Sequence, residues 1–162
     1  MSLRLVLLAG ALAAGLAGCD ILDPDTERER LEEAQERWAD RGIDEYRIDV
    51  QRLCFCAADV SRWVRVTVRN GVVASRTYVD DGTPVLGDPT LFPDVDGLFE
   101  VIDDALDQDA HELEVAYDPV YGIPLVIAID YLEFAVDEEL TLRSQDFQLL
   151  DGGGGRGFQP LP

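Results

Sequence analysis

The fold class follows from one stretch of the chain, Val64-Arg65-Val66-Thr67-Val68-Arg69-Asn70-Gly71-Val72. Its valines alternate with polar residues, and this period of two is typical of a strand with one buried face. The Asn-Gly pair then provides two residues that readily adopt positive φ, as a tight hairpin turn requires. The stretch therefore predicts two antiparallel strands, the second of which continues from Val72 to Val79.

Four more segments show the same period of two and predict further strands. The first of them runs into Cys54-Phe55-Cys56, and the last has the weakest pattern. The apolar positions of the four segments are Tyr46, Ile48 and Val50; Leu113, Val115 and Tyr117; Leu125, Ile127 and Ile129; and Leu140 and Leu142.

A first segment with helical spacing has an apolar stripe formed by Leu31, Ala34 and Trp38. Thr26 and Glu29 have the spacing of a capping box, so we expect them to begin this helix. The helix is predicted to end near Gly42. Its acidic residues are predicted to lie outside the apolar stripe. They are Glu27, Glu29, Glu32, Glu33 and Glu36.

A second helix follows a loop rich in proline. Asp94 or Asp96 can cap its first turn, because a carboxylate accepts hydrogen bonds from free backbone amides. Its apolar stripe consists of Leu98, Ile102, Ala105 and Leu106.

These elements predict a single α+β domain over residues 27–150, with two amphipathic helices and about six mostly antiparallel strands. The order of one helix and three strands occurs twice, which suggests a duplicated α-β-β-β unit. We expect the helices to cover the faces of the sheet, and an open edge could accept a partner strand. Residues 151–162 are rich in glycine and proline and are predicted to be a flexible tail.

The N-terminus has the pattern of a secretory signal peptide. Arg4 precedes an apolar run over residues 5–16, which is shorter than the roughly 20 apolar residues that span a bilayer. Leu16-Ala17-Gly18-Cys19 then resembles the bacterial lipobox. The resemblance implies that residues 1–18 are a lipoprotein signal peptide, that Cys19 is lipidated, and that residues 19–26 are a tether. We therefore expect a protein anchored by lipid to a membrane of the bacterial cell envelope, facing outside the cytoplasm.

The charge of the chain is strongly negative, with 33 acidic residues, 13 basic residues and a formal net charge of −20. Residues 80–162 contain 20 acidic residues and two arginines. Such a surface repels nucleic acid, which we exclude as a partner, and it repels anionic lipid headgroups. The acidity indicates either a solvated surface or a docking face for a basic partner or divalent cations.

Cys54 and Cys56 remain after removal of the signal peptide, and an oxidising compartment favours a disulfide between them. On a flat strand their Cα atoms would be at the upper limit for this bond, so the strand must bend or bulge there. Three alternatives stay open: two free buried thiols, a soft-metal site for copper or zinc, and a redox-active pair.

No catalytic motif accompanies His111, the only histidine, and no phosphate-binding loop or G-x-S-x-G sequence occurs. We therefore expect a protein that is not an enzyme and that needs no cofactor. Asp118-Pro119-Val120-Tyr121-Gly122 is predicted to be a turn, since its residue types favour turns. If the turn binds a ligand, Asp118 and Tyr121 are the candidate contacts.

Several motifs together are similar to a bacterial family, catalogued as domain of unknown function 6174. The similarity covers roughly residues 33–147, and its most specific part is the run from Tyr117 to Pro124. It implies an exported or lipid-anchored protein and implies no activity. The motifs are Trp38, Tyr46, Cys54-Phe55-Cys56, Val64-Arg65-Val66-Thr67-Val68, Asn70-Gly71, Leu98-Phe99, Ile102, Tyr117-Asp118-Pro119-Val120-Tyr121-Gly122-Ile123-Pro124 and Asp130.

From these observations we expect a non-catalytic module that binds an envelope protein or peptide and reaches the membrane through the lipid on Cys19. The alternative is an envelope thiol protein that binds copper or zinc, or exchanges disulfides, through Cys54 and Cys56.

Overall fold

The computed structural model describes residues 24–56, 58–133 and 139–150. In this part of the chain, two helices and six antiparallel strands form an α+β fold with one sheet, as predicted. The predicted signal peptide, the predicted lipidation site Cys19, most of the predicted tether and the tail 151–162 lie outside the described residues. The elements are α1 (Pro24–Ala39), β1 (Tyr46–Leu53), β2 (Val64–Arg69), β3 (Val72–Tyr78), α2 (Val95–Asp107), β4 (Glu112–Tyr117), β5 (Pro124–Asp130) and β6 (Leu140–Leu149).

The strands lie in the order β3-β2-β1-β6-β5-β4. Each set of three consecutive strands forms an antiparallel meander, and the two meanders join where β1 pairs with β6. The predicted order of one helix and three strands is therefore confirmed twice along the chain. β3 and β4 are the two edges of the sheet.

Both helices cover the same face of the sheet, so the expectation that they would cover both faces was wrong. Tyr46, Ile48 and Val50 of β1 belong to the same buried core as the apolar stripes of α1 and α2. On the opposite face, Arg65 and Thr67 of β2 are partly exposed. The helices also contact each other, since Arg28 of α1 forms ion pairs with two carboxylates of α2, those of Asp103 and Asp107.

The start of α1 differs from the prediction. The helix begins at Pro24, so Thr26 lies within the first turn and does not cap it. Proline is favoured at the first helical position because its missing N–H would have no partner there. The start of α2 agrees with the prediction, since Asp94 is the cap and its carboxylate accepts a hydrogen bond from the Gly97 amide at 3.1 Å.

β6 was expected to be a weak strand, but it has ten residues and lies at the centre of the sheet. Its pattern is hidden by an irregularity opposite β1, where the register shifts and Asp146 has a φ of +52°. The shift changes which residues face the core, so the period of two breaks. A serine also stands in the core, and Ser144 donates a hydrogen bond to the Pro124 carbonyl at 2.6 Å.

Among the described residues, neither helix is long and apolar enough to cross a membrane.

Candidate functional site

The C-terminal part of the edge formed by β3, residues 76–78, is covered by the chain itself. After Gly82 the chain turns back, and residues 83–85 run beside the strand. The Tyr78 amide donates to the Thr83 carbonyl at 2.9 Å, and the Val85 amide donates to the Arg76 carbonyl at 3.0 Å. These bonds use backbone groups that would otherwise attract another strand.

The edge formed by β4 lacks such a cover within the described residues. The Val115 carbonyl accepts a hydrogen bond from the Arg30 guanidinium of α1 at 2.8 Å, and α1 is not part of the sheet. In an antiparallel pair, the N–H and C=O of one residue point to the same side of the strand and alternate from residue to residue. The backbone groups of Leu113 and Val115 therefore point away from β5.

A groove of about 970 Å³ runs along this edge, between β4, the start of α1 and the end of α2. Leu106, Leu113 and Val115 supply apolar surface to it. Its acidic rim consists of Asp109, Glu112 and Glu114, and all three side chains are exposed. His111 also lines the groove and is exposed.

A buried carboxylate lies at one end of the groove. Glu27 is only 2% exposed, accepts a hydrogen bond from the Tyr117 hydroxyl at 3.0 Å, and forms an ion pair with Arg30. Burial raises the pKa of Glu27, while the bonds from Tyr117 and Arg30 act in the opposite direction. Burial also raises the pKa of the Tyr117 phenol, which therefore keeps the proton that it donates to Glu27.

The prediction that Glu27 lies on the outer face of α1 was wrong. Its position was nevertheless readable from the spacing, because Glu27 stands four residues before Leu31 and seven before Ala34. This spacing places it on the apolar stripe. The charged residue type led to the error, since buried carboxylates are rare unless they have a partner.

The predicted turn after β4 is confirmed, and Asp118 builds it. The Asp118 carboxylate accepts hydrogen bonds from the amides of Val120 and Tyr121 at 2.9 and 2.6 Å. Gly122 follows with a φ of +81°, and a Cβ atom there would lie 2.3 Å from the Ala34 carbonyl oxygen. The turn is thus packed directly against α1.

Tyr121 is half-buried and packs on the Phe147 ring, with 4.9 Å between the ring centroids. The Arg41 guanidinium lies over the Tyr121 ring, 5.4 Å from its centroid, and donates a hydrogen bond to the Val120 carbonyl at 2.7 Å. Asp118 and Tyr121 also border a cavity of about 320 Å³ beside the irregular part of β6. A binding role for these two side chains stays a prediction.

Cys54 and Cys56 form a disulfide, and their Cα atoms are 5.3 Å apart. This short distance is possible because β1 ends at Leu53, so that the pair lies in a bend. Phe55, between the two cysteines, is 86% exposed. In the described residues, no group of three or more His, Cys, Asp or Glu side chains is arranged to hold a metal ion.

The disulfide closes a very short loop, because only one residue separates the cysteines. In the chain-entropy description, a loop of this length stabilises the fold by about 1 to 2 kcal/mol, against about 3 kcal/mol for a loop of fifteen residues. The bond also joins no two elements of the sheet. It therefore adds little as a structural tether.

Comparison with curated proteins gives no match, and comparison with solved structures gives none either. The profile of the family of unknown function DUF6174 matches residues 30–149. This range contains all six strands, α2 and most of α1. The similarity expected from the motifs is thus confirmed, and the chain belongs to this family of unknown function, DUF6174.

Proposed function

We propose that the protein is a lipid-anchored module of the bacterial cell envelope that binds an extended, positively charged segment of a partner protein along β4. The observation that carries this proposal is the outward-facing backbone of β4 beside a groove. Extended peptides bind sheet edges through main-chain hydrogen bonds, and neighbouring pockets select their side chains.

The backbone of β4 supports strand addition. Leu113 and Val115 offer N–H and C=O groups to an incoming strand, and only the Val115 carbonyl already has a partner, Arg30, among the described residues. An incoming amide would replace Arg30 at that carbonyl. The exchange leaves Arg30 paired with Glu27, so that the guanidinium keeps a counter-charge.

The charge of the groove supports a basic ligand. The acidic rim holds Asp109, Glu112 and Glu114, whereas Arg30 is already engaged with Glu27 and Val115. Residues 80–162, which include β4, contain 20 acidic residues and two arginines. Complementary charge of this kind accelerates encounter and excludes acidic competitors.

The lipobox sequence at Leu16-Ala17-Gly18-Cys19 supports the anchor. α1 begins at Pro24, five positions after Cys19, and a chain of this length spans at most about 17 Å. Arg30, close to the start of α1, borders the groove. The proposed binding edge would therefore stay near the membrane that holds the protein.

A six-residue peptide of alternating lysine and valine tests the proposal, because β4 has six residues and strand side chains alternate between faces. Fluorescence anisotropy should show binding that weakens as salt is added, and a peptide of alternating glutamate and valine should not bind. In NMR spectra, the amides of Leu113 and Val115 should shift most. Equal binding of the acidic peptide, or shifts confined to another surface, would contradict the proposal.

Val115→Pro separates backbone pairing from side-chain contact, because proline removes the outward N–H and is tolerated on edge strands. We expect it to weaken peptide binding by about tenfold or more. Val115→Ala is the matched control, since it keeps the N–H and should bind more tightly than the proline variant. Circular dichroism would verify that both variants fold.

The charge of the rim is tested by Glu112→Arg combined with Glu114→Arg, which should abolish binding of the basic peptide. Glu33→Arg, at an exposed position of α1 that does not line the groove, is the control and should have a much smaller effect. Similar losses in both variants would show that only net charge matters.

A further inference from the structure

We propose that the Cys54–Cys56 disulfide is a thiol–disulfide exchange site, which accepts two electrons from a dithiol polypeptide with apolar residues beside its cysteines. The site lies at the end of β1, whereas the proposed peptide-binding edge is β4. The inference therefore goes beyond the proposed function and can fail independently of it.

The position of the disulfide argues against a purely structural role. The bond joins two residues that are already neighbours in the chain, just after β1 ends. The sheet is held by five antiparallel strand pairings, and none of them involves Cys54 or Cys56. Breaking the bond therefore releases no element of the fold.

The disulfide is open to attack. Cys56 is exposed and Cys54 is partly exposed, so an external thiolate can approach the Cys56 sulfur. Accessibility of this kind is characteristic of disulfides that exchange, in contrast to those buried in a core.

Two exposed apolar side chains follow strands that end on the same side of the sheet as the disulfide. β1 and β5 run in the same direction, because one antiparallel strand, β6, separates them. Phe55 follows β1 and Leu132 follows β5, and they are 86% and 53% exposed. These residues supply apolar contacts for a polypeptide whose cysteine approaches Cys56.

The exchange balances in two steps. A substrate thiolate attacks the Cys56 sulfur, the Cys54–Cys56 bond breaks, and its electron pair leaves on the Cys54 sulfur, while a mixed disulfide forms at Cys56. The second substrate thiolate then attacks the substrate sulfur of that mixed disulfide, and Cys56 leaves as a thiolate. The substrate gains one disulfide, and the two protein thiolates take up the two protons that the substrate thiols released.

The test uses the purified full chain, oxidised at Cys54 and Cys56, and a reduced unfolded peptide with two cysteines flanked by leucines. Alkylation and peptide mapping would follow the pair separately from Cys19. We expect one peptide disulfide to form for each Cys54–Cys56 bond lost, and glutathione buffers should move the pair between its two states. A pair that stays oxidised with excess peptide and across the glutathione range would overturn the proposal.

Two single variants locate the attacked sulfur. With a leucine-flanked peptide that has a single cysteine, supplied as its disulfide with glutathione, Cys54→Ser should accumulate a mixed disulfide at Cys56, because neither the variant pair nor the peptide holds a second thiol that can resolve it. Cys56→Ser should accumulate less, since Cys54 is less exposed. Absence of a mixed disulfide in both variants would contradict the mechanism.

Phe55→Ser tests recognition of the substrate. We expect exchange with the leucine-flanked peptide to slow by about tenfold, whereas exchange with glutathione should not change. Equal slowing with both thiols, or with neither, would overturn apolar recognition.

A structural role is distinguished by stability. The double variant Cys54→Ser and Cys56→Ser should lose no more stability than the small amount expected for so short a disulfide loop, and it should bind the lysine–valine peptide as before. A loss of stability typical of a tethering disulfide would overturn the proposal, whatever the peptide binding shows.

Discussion

The two edges of the sheet end in the same local arrangement but differ in what covers them. β3 ends at Tyr78, β4 ends at Tyr117, and an arginine lies over each ring. Arg62 is 3.6 Å from the centroid of the Tyr78 ring, and Arg30 is 5.6 Å from that of Tyr117. Arg62 also pairs with two carboxylates and Arg30 with one, which hold each guanidinium in place.

The carboxylates make the difference between the two edges. Arg62 pairs with Asp80 and Asp81, which stand in the turn after β3, and Asp81 also accepts hydrogen bonds from Thr83. This network fixes the turn that carries residues 83–85 back along β3. Arg30 pairs with Glu27 of its own helix and leaves the rest of β4 without a cover in the described residues.

One set of residue types can therefore close part of a sheet edge or support an open one. At β3 the ion pairs are local, exposed and attached to a chain that returns to the strand. At β4 a single ion pair joins Glu27, which is buried, to Arg30, whose side chain is 43% exposed, and the bond of Arg30 to the Val115 carbonyl links α1 to the wall of the groove. The covered part of β3, residues 76–78, is protected against foreign strands, whereas the outer side of β4 is available to a partner.

The turns beside the two edges give the largest expected effect. Gly71 and Gly122 both have positive φ, but only a Cβ at Gly122 would meet another backbone, at 2.3 Å from the Ala34 carbonyl oxygen. Gly122→Ala combines backbone strain with a clash against α1, so we expect it to lower the free energy of unfolding by about 3 kcal/mol or more. Chemical denaturation measures this change.

Gly71→Ala is the matched control, because nothing lies within 4 Å of its Cβ position. It carries the strain alone and should cost about 1 kcal/mol. Equal losses in the two variants would mean that α1 can move away from the turn, and that the wall of the groove is not rigid.

Much of the fold could be predicted from local patterns. The alternation of Val64, Val66 and Val68 and the following Asn70-Gly71 located the hairpin of β2 and β3 correctly, because strand and turn chemistry agree there. β6 was underestimated, since its irregularity at Asp146 disrupts the period on which the prediction depends. Placement of both helices on one face depends on tertiary packing, which single-strand patterns do not encode.

The candidate site was less predictable, because it consists of backbone groups and of contacts between distant segments. The sequence allowed for an open edge but could not identify β4, since strand order depends on the pairing of β1 with β6. The contact of Glu27 with Tyr117 joins residues 90 positions apart. The disulfide, in contrast, needed only the neighbouring cysteines and the bend after Leu53.

The two arginines give a smaller expected difference. Arg30→Ala removes the charged partner of Glu27, which is 2% exposed, and should destabilise the protein by about 2 kcal/mol. Arg62→Ala should cost less than Arg30→Ala, because the side chains of Asp80 and Asp81 are 65% and 48% exposed and solvent screens the ion pairs. Thermal or denaturant unfolding of the two variants would compare them.

If Arg62→Ala proves more destabilising than Arg30→Ala, the turn after β3 contributes more than the contact between α1 and β4. The contrast between the exposed carboxylates of Asp80 and Asp81 and the buried carboxylate of Glu27 would then not determine stability. Hydrogen exchange at the amides of Tyr78 and Val85 would show whether the cover of β3 had opened in the first variant.

The smallest expected effect is a pH dependence that distinguishes the two edges. The pKa of Glu27 is raised by burial in the folded state, so the folded protein holds a proton that the unfolded chain has already released. Relative to Glu27→Gln, the wild type should therefore lose stability as the pH rises from the ordinary glutamate pKa of 4.5 through the raised value. Hydrogen bonds from Tyr117 and the charge of Arg30 offset part of the effect of burial on the pKa of Glu27, which keeps the change in stability small.

Asp81→Asn should show a pH dependence of the opposite sign. Hydrogen bonds from Thr83 and Arg62 lower the pKa of Asp81 to about 2, so its contribution to stability is lost only as the pH falls. Parallel pH profiles for the two variants would show that the carboxylates at β3 and β4 are in equivalent environments, against the contrast in burial on which the open edge depends.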